Sequence, residues 1–86
     1  MRIWAKIWKN NHIVRDETIE INTEDTRTHK IKEGLSQICC RFDVEIPIWL
    51  QSNIDEFKRH SRVKFYQDSF IEEIPFDCLE IQVLEE

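Results

Sequence analysis

The opening segment, MRIWAKIWKNNHIVRDETIEI, constrains this chain more than any other stretch, because it alternates on two faces at once. Aligning its two runs around a three-residue loop, Asn10-Asn11-His12, predicts a β-hairpin. Ile3 then meets Ile19, and Met1 meets Ile21. On the other face Arg2 meets Glu20, Trp4 meets Thr18, Lys6 meets Asp16 and Trp8 meets Val14. Opposite charges and aromatic–β-branched pairs directly across two strands favour that register. A two-residue loop would set Lys6 against Arg15 and Ala5 against Asp16, so the longer loop is expected. One face is aliphatic and belongs to a core. The other is charged but carries two tryptophans.

The remaining chain supplies what such a hairpin packs against. Ile31, Leu35, Ile38 and Phe42 recur at i, i+4, i+7 and i+11, within about 60° of one another on a helical wheel. They predict an amphipathic helix over 24–42, opened by Asn22-Thr23-Glu24-Asp25, whose acids suit the positive end of the dipole. Gly34 lies close to this stripe, where a missing side chain lets the helix approach the sheet. Pro47 stops any continuation, and IPIWLQ reads as an extended connector. Ser52-Asn53 opens a shorter helix with Asp55 and Glu56 early and Lys58 and Arg59 late. Ile54 and Phe57 face inward. Alternation then marks a strand from Val63 through Tyr66 and another over Cys78–Leu84.

The order is ββααββ, an α+β domain spanning 1–86: one four-stranded, mostly antiparallel sheet with two helices on one face. The expected core is Ile3, Ile7, Ile19, Ile21, Ile31, Leu35, Ile38, Phe42, Ile54, Phe57, Val63, Phe65, Leu79, Ile81 and Val83. Between the last two strands, Phe70, Ile71, Ile74 and Phe76 are too many large apolar residues for a free connector. They are expected to pack over an edge of the core and shield a sheet edge.

Composition decides which functions to set aside. A chain with 41% hydrophobic and 34% charged residues, one Gly and two Pro is too periodic for disorder. No apolar run approaches the roughly 18 residues of a membrane span, and no signal peptide is evident, so a cytoplasmic location is expected. Cys39, Cys40 and Cys78 have no metal-ligand spacing, and neighbouring cysteines cannot form a relaxed disulfide. Helical phase makes Cys40 the more accessible of the adjacent pair. A single glycine cannot build a phosphate loop, and His12, His29 and His60 lie in no nucleophile context. A Cys40–His60 or Cys78–His12 pair would need geometry to support it. Enzyme chemistry is poorly supported, and no cofactor or metal is expected.

Two surfaces remain. By parity the open sheet face carries Trp4, Lys6, Trp8 and Tyr66 among charged neighbours. Those four residues are the candidate partner-binding site, for a second copy or a protein partner. The bland reading is that the rings simply lie against Lys and Arg stems. The alternative site is the run Lys58, Arg59, His60, Arg62 and Lys64. It has four cations and no acid in a chain whose net charge is −5, and could hold an anionic ligand or, with Tyr66, nucleic acid. The acidic balance lowers the nucleic-acid version.

The stretch WLQSNIDEFKRHSRVKFYQDSFIEEI, followed by FDCLEIQVLEE, resembles a group of short uncharacterised bacterial proteins of about this length. The resemblance covers most of the chain and implies a bacterial, cytosolic, stand-alone domain. It brings no activity, substrate or cofactor.

Overall fold

The computed structural model describes all residues from Met1 to Glu86. Strands β1 (Arg2–Lys9) and β2 (His12–Glu20) form the hairpin. Helices α1 (Arg27–Phe42) and α2 (Gln51–His60) follow, then β3 (Arg62–Phe65), one 3-10 turn (Gln67–Ser69) and β4 (Cys78–Glu85). The strands form one antiparallel sheet in the order β2-β1-β4-β3, so the first and last strands lie at its centre. A single buried cluster joins Ile31, Leu35, Ile38 and Phe42 of α1 and Phe57 of α2 to the aliphatic sheet face. Both helices therefore cover one face, as the alternation demands. Ile54 and Val83, expected in the core, are only half-buried. Ala5, Cys39 and Phe70 are buried with the core instead.

The hairpin corrects one detail. From Arg2 to Ile7 the expected register holds, with Arg2 opposite Glu20 and Lys6 opposite Asp16. Beyond Ile7 it slips by one residue, and Trp8 faces Ile13 rather than Val14. The loop is thus the pair Asn10-Asn11, with φ of 53° and 64°. Successive positive φ values belong to the turn whose twist matches a hairpin, and Asn tolerates them better than most residues. The extra residue is absorbed as a bulge, which satisfies both the tight turn and the charge pairing.

Helix α1 begins later than expected. Thr26 caps it, its side chain accepting from His29 N at 3.2 Å. Asp25 accepts from Thr26 N and meets His29 Nδ1 at 2.8 Å, and these bonds hold its carboxyl below the usual range. Helix α2 has Leu50 at its N-cap, and Asn53 reaches back from inside the helix to accept from Leu50 N. The same Asn53 donates to Lys64 O at 3.3 Å, while Glu56 accepts from Lys64 N at 3.3 Å. Two α2 side chains thereby occupy backbone groups of β3, an edge strand.

That arrangement displaces the role expected of 70–77. Phe70 is buried and in edge contact with half-buried Phe76, their centroids 6.0 Å apart, and Ile74 also packs on the core. Ile71, however, is 81% exposed. The segment is tied to the end of β1 by Asp77 N donating to Trp8 O and Asn10 N donating to Asp77 Oδ2. It closes an end of the core. The edge of β3 is already covered by α2.

Gly34 shows how closely α1 sits on the sheet. A Cβ there would lie 2.5 Å from Ile3 Cδ1, and Ile3 is fully buried. Alanine adds about 1 kcal/mol of helix propensity, but overpacking a filled core costs about 1–3 kcal/mol. Gly34→Ala is expected to lose roughly 1 kcal/mol in urea unfolding by that balance. Adding Ile3→Val removes the opposing methyl, so the double variant should be more stable than the two single effects predict. Strict additivity would show that this contact is not the source.

Candidate functional site

The open face is built from alternate residues of all four strands. One row runs straight across it: Asp16 of β2, Lys6 of β1, Glu80 of β4 and Lys64 of β3. The signs alternate along this row, so each inner charge has two neighbours of opposite sign. Trp4 and Trp8 flank Lys6 along β1, two residues to either side, and both rings are half-buried.

The centre of the face is closed. Lys6 and Glu80 are buried, with side chains only 7% and 5% exposed, although no helix covers them. Lys6 Nζ lies 3.3 Å from Glu80 Oε1, donates to Gln82 Oε1 at 3.1 Å, and sits 3.8 Å from the centroid of Trp4. Trp8 Nε1 donates to Glu80 Oε1 at 2.8 Å, and Trp4 Nε1 donates to Asp16 Oδ2 at 2.9 Å. Lys64 Nζ stands 5.3 Å over Trp8. The indoles act as walls that shield an ion pair, and the ion pair in turn fixes the indoles. A desolvated pair is tolerated when its remaining hydrogen-bonding capacity is met, and no buried side-chain N or O lacks a partner.

The four residues read from parity therefore have different fates. Trp4, Lys6 and Trp8 do share the open face, but Lys6 is buried and cannot be touched freely. Tyr66 falls just after β3, before the 3-10 turn, and is exposed. Sequence pairing linked Lys6 to Asp16. The stronger partner, Glu80, is remote in the chain and enters only when β4 docks beside β1.

The basic run is divided. Lys58, Arg59 and His60 end α2, Ser61 turns the chain at φ 55°, and Arg62 and Lys64 sit on the sheet's open face. Lys58 lines a groove in the helix layer, whereas Lys64 stacks over Trp8. The cluster is contiguous in sequence and split in space.

Two surfaces were missed. Ile46 and Ile48 are exposed on either side of buried Pro47, where Ile48 N donates to Ser69 O at 2.7 Å, and Ile71 lies just beyond that tie. The alternation in the IPI triplet was the available signal. The second is the groove between α1 and α2, lined in part by half-exposed Ile54. Among the thiols, Cys40 is exposed, as its helical phase predicts, while Cys39 and Cys78 are buried. Burial pushes Cys39 up to about 12 and Cys78 up to about 11. No three His, Cys, Asp or Glu side chains gather into a metal-sized group.

Comparison with known proteins yields no relative: no family model, curated protein or solved structure matches this chain.

The ion pair makes a direct prediction. Lys6→Met leaves Glu80 desolvated without its cation and should cost about 3–5 kcal/mol in equilibrium unfolding. Glu80→Gln added to it keeps an acceptor for Trp8 Nε1 and should recover the larger part. A neutral Lys6→Met would mean that the pair is hydrated in solution.

Thiol accessibility gives another. In the native protein a disulfide-exchange reagent should label Cys40 rapidly and the two buried thiols only slowly, with all three reacting in denaturant. Raised thiol values also mean that the unfolded chain loses these protons first. Stability should accordingly decline as pH rises above the ordinary thiol value of 9.0.

Proposed function

We propose that this protein is a non-enzymatic interaction domain that self-associates through its open sheet face. The observation that carries the reading is the division of charge across that face. Lys6 and Glu80 neutralise each other at the centre. Outside them, β2 presents the acids Asp16 and Glu20, the latter paired with Arg2 of β1 at 2.8 Å, and β3 presents the cations Arg62 and Lys64. These columns lie on the two outer strands, three strand spacings or about 14 Å apart.

Such a face is complementary to itself about one of two possible twofold axes. An axis running along the strands lays β2 of one copy over β3 of the other, acid on base, and β1 over β4. An axis running across the strands would lay acid on acid. Electrostatics thus selects the first arrangement, with Trp4 and Trp8 of each copy resting on the partner's β4. The indoles are already immobilised by Asp16, Glu80 and the two lysines. Docking them costs little conformational entropy. Half-buried, rigid tryptophan at the centre of a charged surface is the composition of an interface hot spot.

Anion binding by residues 58–64 as one unit has less support, because their side chains serve two different faces. No helix of the protein is long and apolar enough to cross a membrane. The three unpaired cysteines suit a reducing compartment. A bacterial cytoplasmic setting fits that chemistry and the resemblance noted above.

Sedimentation equilibrium should show reversible association toward twice the 10.5 kDa chain mass, weakening as salt rises. Arg62→Glu with Lys64→Glu should be monomeric, as should Asp16→Lys with Glu20→Lys. Mixed together, the two variants should form a heterodimer, since every facing pair is again opposite in charge. A wild-type protein that stays monomeric at millimolar concentration would falsify the proposal. So would reversed variants that associate as strongly as wild type.

A further inference from the structure

We infer that the groove between α1 and α2 is a binding site for a small apolar carboxylate. The groove has a volume of about 380 Å³, within the range of small-molecule pockets. It lies on the helix side of the molecule, apart from the sheet face considered above, and its occupation is independent of self-association.

Its floor is apolar. Ile31 and Phe57 are buried beneath it, while Trp49 and Ile54 are half-exposed along it. Ile54 has the helical phase of a core residue, yet no side chain of this chain covers it fully. Trp49 is held by two edge-on aromatic contacts, its centroid 5.7 Å from that of Phe57 and 4.9 Å from that of Phe65. A fixed aromatic wall needs no ordering when an apolar body lies against it.

The rim supplies the sign of the ligand. Its charged members are Arg27, Lys32 and Lys58, with no acid among the lining residues, in a chain whose acids outnumber its bases by five. Arg27 is positioned by Glu86, at 3.1 Å, and by Ser61 Oγ, at 3.2 Å, and its guanidinium lies 4.8 Å over the Phe57 ring. Lys32 and Lys58 make no ion pair within the protein. With Arg27 paired to Glu86, the unpaired Lys32 and Lys58 leave the groove cationic when it is empty, and a carboxylate relieves that excess. The sign is particular to this groove. A second cavity, of about 390 Å³, mixes Lys9 and Arg15 with Asp43, Glu45, Glu72 and Glu73, so acids outnumber cations there and an anion is disfavoured. The ligand is accordingly an anion with a compact apolar body, its carboxylate at the cationic rim and its body against Trp49 and Ile54.

Phenylbutyrate and phenylbutylamine, alike in shape and opposite in charge, provide the test by amide and indole NMR shifts of the intact protein. Phenylbutyrate is expected to shift the Trp49 indole and the amides around Ile31 and Ile54 saturably, and the amine is not. Lys32→Glu with Lys58→Glu should weaken phenylbutyrate by roughly tenfold, as expected for two partly exposed charge contacts. The rest of the spectrum should stay in place, because neither lysine has a partner to lose. Ile54→Trp should fill the groove and abolish the shifts. The inference fails if phenylbutyrate does not bind, if both compounds bind equally, or if the shifts fall around Phe42 and Phe76 instead.

Discussion

The structure depends on β1, a central strand whose two faces are both withdrawn from water. Ile3, Ala5 and Ile7 enter the helix-covered core, while Lys6 is buried on the opposite face, where no helix lies. A strand in that position must satisfy two environments with alternate residues, and one residue of slippage would exchange them. This explains why the hairpin keeps its charge-paired register from Arg2 to Ile7 and takes up the mismatch with its tight turn beyond that point, as a bulge. Helix α1, the loop 70–77 and β4 are placed against this strand, while α2 sits on β3.

On the open side, burial comes from tryptophan. Two indoles beside an ammonium and a carboxylate exclude water from the pair, and the pair's hydrogen bonds prevent the rings from rotating away. Neither part would be stable alone: an isolated buried Lys–Glu pair bears a large desolvation cost, and an unrestrained exposed indole loses rotamer freedom when it docks. On either side of this pair stand the acids of β2, with Asp16 bonded to Trp4 and Glu20 to Arg2, and the cations of β3, with Lys64 over Trp8. The surface is therefore rigid in the middle and polarised from side to side, a combination that favours docking of defined orientation over general stickiness.

The helix layer has a different character. There the sequence provides more apolar surface than the two helices cover, and the excess, Trp49 and Ile54, collects in a groove bordered by cations. The two surfaces share no residue and differ in chemistry, one polarised and nearly flat, the other concave and of one sign. Beyond these two surfaces, Ile46, Ile48 and Ile71 are exposed, as are Ile13, Val14, Tyr66 and Leu84.

Local patterns alone determined the order of elements, the face that each strand and helix turns inward, most of the core, and the accessibility of Cys40 over Cys39. These follow from periods of two and 3.6 residues, which are properties of neighbours in the chain. The role of Gly34 was equally legible, because a helix stripe interrupted by glycine has few reasons other than close approach. Only the tertiary structure decided that Lys6 pairs with Glu80, that Asn53 and Glu56 reach the backbone of β3, and that Lys58 and Lys64 part company. Each of those facts depends on which strand lies beside which and where the chain turns. Those choices are set by how distant segments pack together, and no local period encodes them.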